Sequence, residues 1–237
     1  MSKPAAARLI PKVPTKVPRV GARRTTRSST KRELVAVAEE LFAEQGYPAT
    51  SLDQIVGQAQ VTKGALYHHF SGKQALFEAV FERVEAEARA SIQAGLKDQR
   101  DPWLKAQAGL RAFLDVVQQP AYRRIVVLDG PSVLGYERFR EQEERSTFAI
   151  VVEIVRAVLT AGEWDDGEVD EEMLQTFTRV FFGAMSSAGT SVASSDDPAL
   201  AAQRVEAALG FILTGLRSLA DAGVPLPDPA AGRDSAR

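Results

Sequence analysis

Three short helices in close succession constrain this chain more than any other feature. Apolar residues repeat at spacings of three and four from Ser29 onward, and Gly46 then supplies a helix stop. Ser51-x-x-Gln54 is a capping box, in which both side chains bind free N–H groups at a helix start. Thr62 caps a third short helix. The second and third helices are therefore joined by a tight turn.

The pattern stays helical beyond this segment. Ser71-Gly72 breaks the chain, and a long helix is predicted from Lys73 to about Leu96. Asp101-Pro102, a capping residue followed by proline in the first turn, starts the next helix. Helical segments are also predicted over 120–128, 136–159, 171–194 and 198–222, with a turn at 129–131 and a loop at 162–167. No alternating, strand-like run is found, so the predicted fold is all-α.

The composition excludes most enzyme chemistry. The chain has no cysteine, which rules out a zinc finger, a disulfide framework and a thiol nucleophile. Its only two histidines are adjacent. Ser186 lies in a run of small residues, 183–189, which is not the strand-borne Gly-x-Ser-x-Gly elbow of hydrolases. We therefore expect no enzyme, no metal site and no cofactor.

Hydropathy indicates a cytoplasmic protein without a membrane partner. The best candidate for a membrane span, residues 148–159, is interrupted by Glu153 and Arg156, whereas a span needs about 18 apolar residues. The N-terminus is basic but lacks the apolar stretch of a secretory signal.

Charge divides the chain into two unequal parts. Residues 1–32 contain ten of the 29 basic residues and none of the 31 acidic residues, so residues 33–237 carry a net charge of −12. Residues 1–28 also contain four prolines, which predict a disordered segment that we call the basic arm. Such an arm suits a polyanionic partner, and the alternative is a solvated tail that only aids solubility.

The three short helices fit the plan of a helix-turn-helix unit, whose third helix enters the major groove of DNA. Thr62, Lys63 and Gly64 stand at the N-terminus of that helix, where free N–H groups and the helix dipole favour a phosphate. Tyr67 and the histidine pair follow one turn later.

The sequence resembles the TetR family of bacterial transcriptional repressors over about fifty contiguous residues. The resemblance rests on Phe42-x-x-x-Gly46-Tyr47-x-x-Thr50-Ser51, on Ile55, on Val61-Thr62-Lys63-Gly64-Ala65-Leu66-Tyr67-His68-His69-Phe70, and on Lys73 with Ala75-Leu76-Phe77. Two positions depart from the family pattern. Gln60 stands where the family usually has glycine, and would cost about 1 kcal/mol if φ is positive there. Gly72 replaces a capping Ser or Asn.

The resemblance implies the residues that contact DNA. Thr62, Lys63 and Gly64 would touch base edges and nearby phosphates, with Lys63 suited to guanine. Phosphate contacts would come from Ser51, Tyr67, His68, His69 and Lys73, and minor-groove or phosphate contacts from Arg23, Arg24 and Arg27 of the basic arm. The alternatives are a structural role for His69 and a merely solvated Lys63.

The resemblance also implies four regions: the arm at 1–28, the helix-turn-helix domain at 29–75, a helical ligand-binding and dimerisation domain at 76–224, and a flexible tail at 225–237. Small residues at 182–189 and the stripe Leu209, Ile212, Leu213, Leu216 and Leu219 would form a homodimer interface, or else an ordinary core. The aromatic candidates for contact with an apolar inducer are Trp103, Phe113, Phe148 and Phe177, unless they are core residues.

The function implied is a ligand-responsive repressor that binds a palindromic double-stranded operator as a dimer. The alternative is a DNA-binding structural protein, or one regulated by a protein partner, with no small-molecule inducer.

Overall fold

A computed structural model describes residues 27–162 and 171–226, and in these ranges the chain is helical without strands, as predicted. One element is a π-helix, Tyr122–Asp129. The α-helices are α1 (Arg27–Ala49), α2 (Leu52–Gln58), α3 (Lys63–His69), α4 (Lys73–Leu96), α5 (Pro102–Val117), α6 (Gly130–Leu134), α7 (Tyr136–Arg145), α8 (Phe148–Ala161), α9 (Glu171–Ala193) and α10 (Pro198–Asp221).

Helix α1 is interrupted where the sequence predicts its stop. Gly46 has a φ of 78°, in the left-handed region that favours glycine. The Thr50 hydroxyl donates a hydrogen bond of 2.8 Å to the Gly46 carbonyl, which closes the corner before α2. The helix begins at Arg27, two residues before the predicted start at Ser29.

The predicted caps are confirmed. The Ser51 hydroxyl accepts a bond from the Gln54 N–H at 3.2 Å, and the Gln54 side chain accepts one from the Ser51 N–H at 2.8 Å. The Thr62 hydroxyl accepts from the Ala65 N–H at 3.1 Å. Asp101 caps α5 in the same way, through the Leu104 N–H at 2.8 Å. Each cap satisfies a donor that the helix itself leaves free.

A continuous core joins the first three helices to the rest of the molecule. Phe42, Phe77 and Phe81 are fully buried, and the rings of Phe42 and Phe77 meet edge-on with centroids 5.3 Å apart. Helix α4 contacts both α1 and α5. Helix α4 therefore shares its apolar face between the two regions and packs them together.

The prediction of a turn at 129–131 is wrong. Gly130 and Pro131 instead form the first turn of α6, directly after the π-helix. Proline fits the first turn of a helix, where its missing N–H is not needed. Gly130 is required because a Cβ there would lie 2.8 Å from a ring carbon of Phe81.

The prediction of one helix over 136–159 is also wrong. The chain breaks at Ser146, whose φ of −104° and ψ of −93° are not helical, and α7 and α8 lie on either side. Residues 140–147 contain no glycine or proline, so the sequence does not reveal the break. The break separates the polar α7 from the apolar α8.

Several predictions fall on residues that the structure does not describe. These are positions 1–26 of the basic arm, 163–167 of the predicted loop and 227–237 of the tail.

Candidate nucleic-acid interface and ligand cavity

Helix α3 presents its N-terminal residues outward. Leu66 is 1% exposed and Phe70 is buried, so these two side chains fasten α3 to the core. Thr62, Lys63 and Gly64 are exposed on the opposite side. The predicted reading residues therefore share one accessible surface, which we call the α3 surface.

Lys63 is held by an acidic neighbour on the α3 surface. Its Nζ lies 2.6 Å from Asp53 Oδ1 of α2, and both side chains are largely exposed. The hydrogen bond to Asp53 raises the pKa of Lys63 above its ordinary value. The lysine is thus fully charged, and it can exchange an exposed carboxylate for another acceptor at little cost.

The capping hydroxyls of Ser51 and Thr62 can each still donate a hydrogen bond. Each uses an oxygen lone pair to accept from a backbone N–H, at 3.2 and 3.1 Å. Each hydroxyl proton is then free for a second acceptor on the exposed side, as a phosphate contact requires.

The turn before α3 requires an unusual backbone conformation. Gln60 has a φ of 53°, a left-handed value that costs a residue with a Cβ about 1 kcal/mol. The sequence raises the possibility of a positive φ at Gln60, and the structure has one. Ala59 is buried beside it, which suits the close crossing of α2 and α3.

The remaining predicted contacts differ in accessibility. Tyr67 is 59% exposed and His68 is exposed, whereas His69 is half-buried. Lys73 is half-buried, with its Nζ 4.2 Å from the ring centroid of Tyr47. Burial lowers the pKa of Lys73, and the charge of Asp129 opposes that shift. Arg23 and Arg24 lie outside the described residues, and Arg27 is the first residue of α1.

A polar joint links the helix-turn-helix region to the π-helix. The Asp129 carboxylate accepts from the Tyr47 N–H at 2.8 Å and from Arg124 Nε at 3.2 Å. The Arg124 guanidinium packs directly against the Cα of Gly46. Sequence reasoning missed this joint, because its members are separated by about eighty positions and no short motif links them.

An apolar cavity of about 110 Å³ lies among α4, α5, α8, α9 and α10. Trp103, Phe113 and Phe177 are among its lining residues. Phe148 is not in the lining, since its ring packs edge-on against Phe182 at 5.2 Å. Thr147 contributes the one hydroxyl among the lining side chains. The other lining residues are Ile92, Ala106, Gly109, Leu110, Ile150, Val151, Ile154, Val155, Val158, Leu159, Phe181, Met185, Leu209, Leu213, Leu216 and Leu226.

Helix α10 has two apolar faces rather than one stripe. Leu209, Leu213 and Leu216 line the cavity, whereas Ile212 and Leu219 are exposed on the outside together with Phe211. An 18-residue window of α10 has a mean hydropathy of 1.3 and is only 6% buried, so by length and composition it could cross a membrane. The best candidate for a membrane span by length and composition among the described residues is therefore α10, not residues 148–159 as expected from the sequence. An outward apolar face of this kind indicates a protein interface.

Comparison with known proteins agrees with these features. Residues 34–80 match the family model of bacterial regulatory proteins of the tetR family, and residues 103–216 match that of the tetracyclin repressor-like C-terminal domain. The chain is 35% identical over 104 residues to the uncharacterized HTH-type transcriptional regulator TtgW of Pseudomonas putida, which covers 43% of this chain and 75% of that protein.

The TetC protein of transposon Tn10 from Escherichia coli is 32% identical over 113 residues, which is 48% of this chain and 57% of TetC. The chain thus spans little more than half the length of that relative. A crystal structure of a TetR-family regulator from Pectobacterium atrosepticum superposes with a TM-score of 0.69 at 29% identity, covering 81% of this chain and 96% of that one. Residues 34–80 and 103–216 of this chain both match TetR family models, and the helix-turn-helix geometry is present. This chain therefore belongs to the TetR family of bacterial regulatory proteins.

Proposed function

We propose that this protein is a cytoplasmic transcriptional repressor that binds a palindromic DNA operator as a homodimer and is released by a small apolar ligand. The observation that carries the proposal is the α3 surface. A helix fastened by Leu66 and Phe70 exposes Thr62, Lys63 and Gly64 with no bulky neighbour in front of the glycine. This arrangement suits insertion into a major groove.

The outward face of α9 and α10 supports a dimer. Phe211 is 80% exposed, and Val180, Ile212 and Leu219 are also exposed, although all four are large apolar residues. A second copy of the chain would remove them from water. Two recognition helices would then read two half-sites, which a single short helix cannot do with useful specificity.

The cavity supports a ligand of modest size. Its 110 Å³ compare with the roughly 150 Å³ of an engineered apolar cavity that holds benzene. Its wall is built from α4, α5, α8, α9 and α10, and α4 leads directly to the helix-turn-helix region. A ligand releases DNA only if it binds the arrangement that cannot hold DNA more tightly than the one that can.

Selection from randomised duplex DNA tests the DNA-binding part. We expect enrichment of a two-fold symmetric sequence, and Lys63→Ala should weaken binding to it about ten-fold or more while relaxing the preference at one position per half-site. Lys97→Ala removes another exposed lysine, just after the C-terminal end of α4, and should leave the affinity unchanged. Equal affinity for random and selected duplexes would refute a sequence-specific regulator.

Thermal-shift screening with monocyclic aromatic compounds tests the ligand-responsive part. A compound that raises the unfolding temperature should also lower operator affinity in a fluorescence-anisotropy titration. Compounds that stabilise the protein without any effect on DNA binding would favour regulation by a protein partner instead.

A further inference from the structure

Lys63 of α3 and Asp53 of α2 form one unit beside the α3 surface. The Lys63 Nζ lies 2.6 Å from Asp53 Oδ1, and the two side chains are 63% and 69% exposed. Asp53 stands in the first turn of α2, two residues after the cap Ser51, and Lys63 is the first residue of α3. The contact thus joins the exposed N-terminal ends of two helices, and we call it the Lys–Asp pair.

The position of Asp53 is unfavourable unless DNA supplies it with a partner. An exposed ion pair adds little to the stability of a fold, because water and salt screen it. A carboxylate beside the phosphates of a bound duplex is also repelled by them. A hydrogen-bond donor on the DNA would offset that repulsion, and the donors that a duplex offers to a protein in the major groove are the amino groups on the base edges.

Asp53 reaches the same base pair as Lys63. A helix-turn-helix unit places the N-terminal residues of its third helix against base edges, and a carboxylate 2.6 Å from the ammonium comes to that edge with it. Lys63 can keep Asp53 while it binds DNA, because an ammonium has three donors. Asp53 is its one ion-pair partner among the described residues, so two donors are left for a base. The ion pair uses Asp53 Oδ1, so the carboxylate keeps Oδ2 as an acceptor.

The major-groove edge of a G·C pair offers the complementary groups. Guanine presents the acceptors N7 and O6, and cytosine presents the N4 amino donor. Because O6 and N4 are hydrogen-bonded to each other within the base pair, they lie about 2.9 Å apart. This spacing is close to the 2.6 Å between Lys63 Nζ and Asp53 Oδ1. An A·T pair fits less well, since its two acceptors flank the amino donor and the ammonium can meet only one of them.

We propose that the Lys–Asp pair reads one G·C base pair in each half-site of the operator, with Lys63 donating to guanine and the Asp53 carboxylate accepting from the cytosine N4 amino group. Asp53 is then a specificity-determining residue. This inference rests on the proposed operator binding and names the base pair that this part of the interface selects.

A change to the cytosine amino group tests the contact directly. Selection from randomised duplexes first locates the G·C position whose preference Lys63→Ala relaxes. N4-methylcytosine at this position in both half-sites still pairs with guanine, but a methyl group replaces the N–H that faces the major groove. In a fluorescence-anisotropy titration the full chain should bind the methylated operator at least about five-fold more weakly than the unmodified one. Asp53→Ala should bind the two operators equally. No loss in the unaltered protein, or a loss that persists in Asp53→Ala, would overturn the proposal.

A second readout is the ratio of the affinities for operators with G·C and with A·T at the same position. Asp53→Ala should lower this ratio at least about five-fold. Asp98→Ala is the control, because it removes the same charge from an exposed side chain two residues after α4, and it should keep the ratio. If Asp53 only repelled phosphates, Asp53→Ala would strengthen binding to both operators and leave the ratio unchanged. If Asp53 only oriented Lys63, the ratio would fall but cytosine methylation would have no effect. Either result would overturn the contact with cytosine.

The outcomes separate this inference from the proposed function. Equal affinity for random and selected duplexes would refute both. A selected operator that has no G·C position sensitive to Lys63→Ala, or whose affinity is insensitive to cytosine methylation, would overturn the role of the Lys–Asp pair and keep sequence-specific operator binding.

Discussion

Two features of the structure favour glycine at position 46. Its φ of 78° is strained for any residue with a Cβ, and that Cβ would overlap the Arg124 guanidinium. Arg124 in turn binds Asp129, which also accepts from the Tyr47 N–H at 2.8 Å. One glycine thereby allows both the end of α1 and the closure of the polar joint.

Gly46→Ala should therefore lower the free energy of unfolding by at least about 1–2 kcal/mol, the cost of a left-handed conformation before any displacement of Arg124. Urea denaturation measures the change. Gly57→Ala is the matched control, because Gly57 lies within α2 with open space around it and should gain up to about 1 kcal/mol. Similar effects from both variants would show that the joint does not constrain this corner.

Among the helices, the π-helix links the helix-turn-helix region to α9. It contacts α1, α4 and α9. Arg123 Nε donates to the Ala193 carbonyl at the end of α9 at 2.6 Å, while Arg124 packs on Gly46 of α1. Successive arginines of one element thus bind the C-terminal end of one helix and the corner of another. A rearrangement of α9 around a ligand has a direct physical connection to the helix-turn-helix region through this element.

The exposed apolar residues on the outward face of α9 and α10 can be tested as a dimer interface. Phe211→Glu should convert the proposed dimer to a monomer in analytical ultracentrifugation and weaken operator binding, because a charge would be buried without a partner. The control is Tyr136→Glu, which changes an aromatic residue that is 74% exposed on α7. It should leave the mass of the assembly in solution unchanged. A dimer that persists with Phe211→Glu would place the interface elsewhere.

Across the whole molecule, charge is separated between residues 1–32, which include the basic arm, and the remainder. Ten bases lie within residues 1–32, and the rest of the chain carries a net charge of −12. Deletion of residues 1–26 should weaken specific and non-specific DNA binding together and leave the preferred sequence nearly unchanged. The slope of log affinity against log salt should flatten by about 0.9 for each phosphate that the arm no longer neutralises.

Paired substitutions locate the contribution within the arm. Arg23→Ala with Arg24→Ala should flatten the salt slope more than Lys12→Ala with Lys16→Ala, since the arginines stand nearer the helix-turn-helix region. An unchanged slope after deletion would mean that the arm is only a solvated tail.

Stability of the whole molecule should depend on the ionisation of Glu143. Its pKa is raised from 4.5 to about 7, so the fold binds the proton more tightly than the unfolded chain does. The free energy of unfolding should therefore fall as pH rises from about 4.5 to about 7, and stay low above that range. Glu143→Gln should raise the midpoint of thermal unfolding more at pH 8 than at pH 5.

Burial is the main cause, and three charged side chains near Glu143 influence how far its pKa is raised. Glu85 and Glu144 strengthen the shift, whereas Arg140 weakens it. Glu141→Gln, on the exposed side of α7, is the control and should shift the midpoint equally at both pH values. If Glu143→Gln also shifted the midpoint of thermal unfolding equally at both pH values, the raised pKa of Glu143 would be contradicted.

The local features of this protein could be predicted from its sequence. The capping box at Ser51, the cap at Thr62, the break at Gly46 and the buried Leu66 all depend on residues within one or two helical turns. Helical periodicity and capping act over those short distances, so a pattern in the sequence predicts them directly. The α3 surface follows from the same local rules.

The features that join distant segments depend instead on how the helices pack. The joint between Gly46 and Arg124 and the apolar cavity each combine elements far apart in sequence, and the break at Ser146 is marked by no glycine or proline. Leu213 and Ile212 are neighbours of nearly equal hydropathy, yet one lines the cavity and the other is exposed. Which face of an apolar helix meets a cavity, a core or a second chain is set by the surrounding helices, because hydrophobicity is not directional.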